Sequence, residues 1–384
     1  MPEDWKEVTF GELANWSSGK YLSPSDRSDD GVFPVLGANG VIGRTSTALY
    51  KHPVVTVGRV GAIGEVHLTR GPVWVSDNAL VAEPRDGVLI EYLALALGNF
   101  DYRSIKSGTN QPLVTQTSLK AQVTLLPSIA EQRRIADLIA TLDRATDALR
   151  RTEASVSRAY SALQEEVYRI ALRRMPLGDV AEVTVGPVFA SGSFTEDASD
   201  PRLLRGINVA AGSARWDATK RWPRIDVSKY GRYWLRSEDV VVAMDATFTA
   251  TGEMRVARLG PEDLPALLVQ RVARLRPLNT RATPGLLYHL LRSARACAGL
   301  RDAQTGAFAP HISADDIRAT SLPALGAAEA RRWERVLEAA DQQASRARAY
   351  ITSGARLRAA LLADLMSGAH AIPASYDRFI DGAT

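Results

Sequence analysis

The chain of 384 residues is long enough for two or three domains, each with a core of its own. Hydrophobic residues make up 46% and charged residues 23%, an ordinary globular composition, and the single cysteine, Cys297, excludes an internal disulfide framework. The net charge of +4 is small, so a nucleic-acid partner would have to act through clustered rather than bulk charge. The polar start MPEDWKEV carries no secretory signal and no apolar run reaches membrane length, which leads us to expect a cytoplasmic protein with no membrane partner.

In chain order, the first stretch is β-rich. FPVLGANGVIG (33–43), HPVVTVGRVGAIGEVHL (52–68) and VWVSDNALVAEP (73–84) set β-branched residues between Gly and Asn turn signals, with Asn39 read as a turn residue. A short helix is expected over 90–99, followed by SGTNQPLV (107–114). Then Ile135, Leu138, Leu142, Ala145, Leu149, Thr152, Val156, Ala159 and Leu163 recur in steps of three and four, the seam of a coiled coil.

The second stretch opens with LGDVAEVTVG (177–186). From Arg202 to Arg236 nine basic residues (Arg202, Arg205, Arg215, Lys220, Arg221, Arg224, Lys229, Arg232, Arg236) face only Asp217 and Asp226, with Trp216, Trp222, Tyr230, Tyr233 and Trp234 among them. Such a stretch can neutralise phosphates. It can also be a solvated strand pair whose tryptophans pack on the core, the reading that the residues alone favour. SEDVVVAMDATFTATGEMRVARL (237–259) reads as strand, and 284–294 as the counterpart of the first short helix. A second seam follows, Leu337, Ala340, Ala344, Ala347, Ile351, Gly354, Arg358, Leu361 and Leu365, weakened by Gly354 and Arg358.

The chain repeats itself. SGTNQPLVTQTSL (107–119) aligns with TGAFAPHISADDI (305–317), and EQRRIADLIATLD (131–143) aligns at the same offset with EARRWERVLEAAD (329–341). FGELANWSSG (10–19) resembles LGDVAEVTVG (177–186) at another offset, so two copies of one plan, a variable globular part and then a helix, follow one another. Pro127 and Pro323 stand just before the two helices, where proline is tolerated. Leu142, Leu149, Val156 and Leu163 align with Ala340, Ala347, Gly354 and Leu361, which suggests large residues facing mostly small ones. The second globular part is long enough to return the chain, so the helices are expected to pair antiparallel. The fold class is α+β.

Motifs of other chemistries are weak. GRVGAIG (58–64) lacks the glycine order of a dinucleotide loop and reads as a tight hairpin, with Arg59 available to face DNA. There is no Walker sequence and no Asn-Pro-Pro-aromatic sequence of an amino-methyltransferase. His52, His67, His289, His311, His370 and Cys297 lack metal-ligand spacing, so neither metal nor cofactor is expected. Asp245 and Glu253 could serve a nuclease, but no lysine lies suitably near. Asn110 and Gln111 are either base-edge contacts, since amides pair bidentately with adenine, or a plain turn.

VLGANGVIG (35–43), VVTVGRVGAIGEV (54–66), WVSDNALV (74–81), SGTNQPLV (107–114) and LPSIAEQRRI (126–135) resemble the first target recognition domain and first conserved helix of type I restriction-modification specificity subunits. LLRGINVAAG (203–212), TGAFAPHIS (305–313) and the 329–365 helix are similar to the second copy, departing where Glu329-Ala330-Arg331 replaces Glu131-Gln132-Arg133. The resemblance implies two β-rich recognition domains, 1–127 and 175–325, two long helices, 128–174 and 326–370, forming an antiparallel coiled-coil spacer in a pseudo-twofold repeat, and a tail, 371–384. It further implies a non-catalytic subunit that reads a bipartite double-stranded DNA target. Two modification (methyltransferase) subunits would dock on it and flip adenines out of the stack, and restriction (motor-nuclease) subunits would join. Helices of about 40 residues would give a spacer of about 60 Å. The expected DNA contacts are Arg59, Asn110, Gln111, Arg205, Arg215, Lys220, Arg221, Arg224 and Lys229. The expected seam comprises Leu142, Leu149, Val156, Leu163, Ala340, Ala347 and Leu361. The rival readings are a stand-alone nuclease and a protein-binding adaptor with two β-rich domains.

Overall fold

A computed structural model describes residues 5–107, 112–224, 228–306 and 310–381. The first copy contains β1 (Lys6–Thr9), α1 (Phe10–Leu13), β2 (Ala14–Ser18), β3 (Phe33–Gly37), β4 (Gly40–Thr45), β5 (Val54–Gly58), β6 (Val66–Thr69), β7 (Trp74–Val75), β8 (Ala79–Pro84), α2 (Ile90–Asn99), α3 (Gln116–Lys120) and β9 (Val123–Leu126). The long helix α4 (Ile129–Ile170) follows. The second copy contains β10 (Arg174–Pro176), β11 (Ala181–Val185), β12 (Arg202–Leu204), β13 (Val240–Ala243), β14 (Val256–Arg258), β15 (Ala266–Leu268), β16 (Val272–Pro277), α5 (Pro284–Leu291), α6 (Ala294–Asp302), α7 (Ala314–Ala319) and β17 (Ser321–Pro323). Then come α8 (Ala327–Met366) and α9 (Asp377–Asp381).

The contacts divide the chain into two compact units, Met1–Leu149 with Tyr350–Thr384, and Arg150–Ala349. Each unit holds one globular copy and half of each long helix.

The two copies share a topology. In the first, β2-β8-β5-β6 form an antiparallel sheet, and in the second β11-β16-β13-β14 do so in the same order. A parallel pair backs each sheet, β3 with β7 and β12 with β15. A short antiparallel pair closes each copy, β1 with β9 and β10 with β17, so the chain enters each domain beside the point where it leaves. The central strands explain their sequences. In β5, Val55 and Val57 join the core under α2 while Val54 faces Leu36, Val73 and Val75. In β13, Val240 and Val242 face one core and Val241 and Ala243 another. A strand covered on both faces reads as a continuous apolar run.

Helix α4 starts where the Ser128 hydroxyl accepts the Glu131 N–H, directly after Pro127. The buried Gln132 amide accepts from Leu89 N and donates to the carbonyls of Gly87 and Pro127, locking the helix to the first domain. Helix α8 starts with Glu329 accepting from Gly326 N. It stops at Gly368, whose φ of 70° places it in the left-handed region. Gly368 N donates to Leu365 O and Ala369 N to Asp364 O, which caps the free carbonyls.

The helix pair is antiparallel within each unit. In the first, Asp143 meets Arg358 and Thr146 lies against Gly354; in the second, Glu153 meets Arg348. This corrects the facing inferred from the repeat: Gly354 lies against Thr146 rather than its aligned partner Val156, because antiparallel packing reverses the pairing. One half of the α4 seam also moves by a residue. Thr146 and Tyr160 are buried and Glu153 half-buried, whereas Ala145, Thr152 and Ala159 are exposed. Leu142, Leu149, Val156 and Leu163 are half-buried, as are Ala340 and Leu361, and Ala347 is buried.

The segment read as a tail is structured up to α9. Arg134 makes a two-pronged bond to Asp377, at 2.6 and 2.7 Å, and the Tyr376 hydroxyl donates to Asp137 at 2.9 Å.

Candidate nucleic-acid interface

Each sheet carries a set of loops at one end, built on the same hydrogen bonds. In the first copy Gly58 N donates to Glu65 O, closing the loop between β5 and β6, and Val114 N donates to Arg59 O. In the second, Ala243 N donates to Arg255 O, closing the loop between β13 and β14, and Ile312 N donates to Met244 O. The loops between residues 107 and 113 and between 305 and 311 are each pinched by a pair of bonds, Ser107 with Leu113 and Thr305 with His311. A third loop joins each set, the β3–β4 turn in the first copy and residues 205–217 in the second.

In the first copy these loops touch through glycine. A Cβ on Gly58 would sit 2.1 Å from Ala62 O and 2.5 Å from Ala38 O, so only glycine lets the β3–β4 turn stack on the loop beyond β5. Gly64, at φ 84°, rests on the ring of the buried Tyr102. Arg59 is half-buried here, and its Nε is buried without a hydrogen-bond partner. His67 Nε2, beneath Gly40, is in the same condition. Asn39 is exposed in its turn. Asn110 and Gln111 lie outside the described residues.

The basic stretch of the second copy has two populations. Trp222 is buried against Phe189, Phe194 and Tyr230, and Trp216 donates to Asp263 while the Arg202 guanidinium lies 4.3 Å over its ring. Arg202 donates to the carbonyls of Glu262 and Leu264, Arg221 to Asp200 O and Arg224 to Ser199 O. Arg205 donates to Ala218 O, and its Nε is buried and unpartnered like that of Arg59. Among the described residues of the stretch only β12 is a named strand, with short 3-10 turns and single bridges such as Arg202 with Arg221 in place of a strand pair. The outward population is different: Arg215 is exposed, Lys220 stands 3.8 Å from Glu196, and the exposed Lys229 lies 5.4 Å from the Tyr230 ring.

Three arginines with structural work were not legible in the charge pattern. Arg274, 3% exposed, donates to Arg232 O and Thr184, and Arg276 makes a two-pronged bond to the buried Asp239 and reaches Trp234 O. Together they fasten residues 228–236 to the sheet. The third, Arg255, lies within the loop set.

A polar network binds α5 to both long helices in the second unit. His289, fully buried, has Nδ1 2.9 Å from the Tyr160 hydroxyl and Nε2 3.3 Å from Glu338, and its carbonyl accepts from Gln164. Arg292 donates to Asp341 at 2.9 Å. Burial lowers the His289 pKa from the usual 6.5 to about 4, against the pull of Asp341 and Glu338. In the first domain the corresponding tie to α4 is Gln132. In the second, Glu334 of α8 accepts from Gly285 N at the start of α5.

Asp245 faces Arg271 at 3.6 Å, and Glu253 accepts from Thr251. Among the described residues no three His, Cys, Asp or Glu side chains gather as a metal cage, and no helix is long and apolar enough to cross a membrane.

Comparison with known proteins finds consistent similarities. Residues 2–157 match the type I restriction modification DNA specificity domain. The MjaVIII specificity subunit of Methanocaldococcus jannaschii is 21% identical over 325 residues, 76% of each chain. The EcoAI specificity subunit of Escherichia coli is 28% identical over 195 residues, 50% of this chain and 32% of that one. In fold, the chain is similar to the S subunit of a type I system from M. genitalium, with a TM-score of 0.66, 14% identity and coverage of 94% of this chain and 96% of that one. A chain from a type I restriction-modification assembly aligns with a TM-score of 0.55 at 16% identity, over 95% of this chain and 98% of that one. The first part of the chain thus resembles the type I restriction modification DNA specificity domain, and the whole chain is similar in sequence and fold to type I restriction-modification specificity subunits.

Proposed function

We propose that this chain reads a bipartite double-stranded DNA target, one half with each loop set, and presents it to two modification subunits and to restriction subunits in the cytoplasm. The reading is carried by one observation. The same hydrogen-bond frame is built twice, and at its loop end it holds arginines in both copies, Arg59 in the first and Arg205 and Arg215 in the second. The constant frame suits a shared docking task, and the differing loops suit two different base sequences. Arg215, Lys220 and Lys229 supply phosphate contacts, which position without specifying. Asn110, Gln111, Arg59 and Arg205 are the candidates for base edges, where an arginine can pair with guanine in two bonds.

Arg221 and Arg224 spend part of their guanidinium on the carbonyls of Asp200 and Ser199, so their DNA contacts would come from the remaining N–H groups. The proposed domains are 1–127 and 175–325, with 128–174 and 326–370 as the spacer. The test is to express the chain with its modification subunits in an unmethylated host and to sequence the methylated sites. A motif of two short blocks around an unspecified gap is expected. A continuous motif, or none, contradicts the reading.

A further inference from the structure

We propose that Arg255 is a positioning residue for the second half-site: its guanidinium joins two loops that the first copy joins with glycine, and so fixes how the second domain presents its reading surface. The inference rests on the DNA-reading role proposed above.

The repeat isolates the position. Strand β6 begins at Val66 paired with Val57, and β14 begins at Val256 paired with Val242. Glu65 and Arg255 therefore hold equivalent places one residue earlier, and the carbonyl oxygen of each accepts the same closing bond, from Gly58 N and from Ala243 N. The loops they close differ in length. Residues 59–64 turn tightly with glycines at 61 and 64, whereas residues 244–254 form a longer excursion carrying Thr249, Thr251 and Glu253 at its tip. A longer loop has more conformational entropy to lose, and something must hold it.

Arg255 does so with a divided fork. Its Nη1 donates to the carbonyls of Asp245, at 3.3 Å, and Ala246, at 3.1 Å, both in the β13–β14 loop. Its Nε donates to Val209 O at 2.9 Å and its Nη2 to Gly206 O, both in the 205–217 loop. Four carbonyls from two loops converge on one planar cation. The third loop is tied to the same point, because Ala246 N donates to Pro310 O. Around the clamp the loops are set by their own bonds. The buried Asn208 donates to Arg215 O, and the buried Thr247 hydroxyl donates to Met244 O. Ala246 holds a φ of 45°, a left-handed conformation that a side chain seldom adopts unless its surroundings impose it. The exposed Arg215 belongs to the clamped loop and lies close enough for its charge to lower the Arg255 pKa, beside the larger effect of burial. The clamp thus aims Arg215 outward.

Lysine carries the charge but cannot divide a planar fork between two loops. The complex with the modification subunits should therefore be assembled with the parent chain, Arg255→Lys and Arg255→Ala, and methylation measured on a library randomised separately in each half-site. Both variants should lose at least tenfold of their discrimination at the second half-site while the first keeps its profile within twofold. Parental discrimination in Arg255→Lys would mean that charge alone matters and would overturn the clamp. So would an unchanged second half-site in Arg255→Ala, equal decay of both half-sites, or failure of both variants to assemble. A parent complex without a split motif would instead overturn the reading role, and the clamp with it.

Discussion

Arg358 of α8 donates to both carboxylate oxygens of Asp143 of α4, at 2.5 and 3.0 Å, from a position that the heptad count assigns to the seam. A seam arginine is tolerated because a carboxylate meets it, and the pair fixes the antiparallel register within the first unit. With the side chains 34% and 45% exposed, solvent screens the pair, and its coupling is about 1 kcal/mol or less. Asp143→Arg and Arg358→Asp should each lower the melting temperature, and the double exchange should recover most of the loss. A double variant no better than the sum of the singles would show that the register rests on apolar contacts alone.

Gly354→Ala should stabilise the chain. Mid-helix glycine costs about 1 kcal/mol relative to alanine. The added Cβ would meet only the Thr146 hydroxyl oxygen, at 3.3 Å, and that oxygen can turn away. Thermal denaturation should show a small rise in melting temperature. A fall would mean that the helices approach too closely there for any side chain.

His289 makes the second unit sensitive to acid. Its folded pKa, near 4, lies below the usual 6.5, so between these values the unfolded chain binds a proton that the folded one excludes. Stability should therefore fall as pH drops from about 6.5 toward 4. Denaturant titrations of the parent and of His289→Gln at pH 7 and pH 5 check the sign. The parent should lose more stability than the variant, and an equal loss in both would place the acid sensitivity elsewhere.

Arg215→Gln with Lys220→Gln tests the phosphate contacts without disturbing the arginines that hold backbone. Affinity for all DNA should fall, and the slope of log K against log salt should flatten by about 0.9 for each lost contact. Salt titrations of the complex measure this. An unchanged slope would move the phosphate contacts to other residues.

How much of this was visible in the sequence depended on which signals are one-dimensional. The long helices were visible because Leu142, Leu149, Val156 and Leu163 recur in step, yet the count placed Ala145, Thr152 and Ala159 where Thr146, Glu153 and Tyr160 lie. Polar residues at inward positions mislead a purely apolar count. The repeat was visible at its ends, around Gly108 and Gly306, and faint in between, because β12 to β13 encloses the basic stretch where β3 to β5 has a short hairpin. The charge of that stretch was plain, but not the division between Arg221, which holds Asp200 O, and Arg215, which faces outward. Composition counts charges and says nothing of the carbonyls they meet. Arg255 could be found only after the strand registers set it opposite Glu65.

If the long helices set the distance between the two half-sites, changing their length must change the gap. Thr146 lies against Gly354 and Asp143 meets Arg358, so a heptad inserted after Leu149 is matched by one inserted after Tyr350. A heptad adds about 10 Å of helix, or roughly three base pairs of DNA. Sequencing the methylated sites of the lengthened complex should give the same two half-sites with a gap about three base pairs longer. An unchanged gap, with both half-sites still read, would show that the helices do not set it.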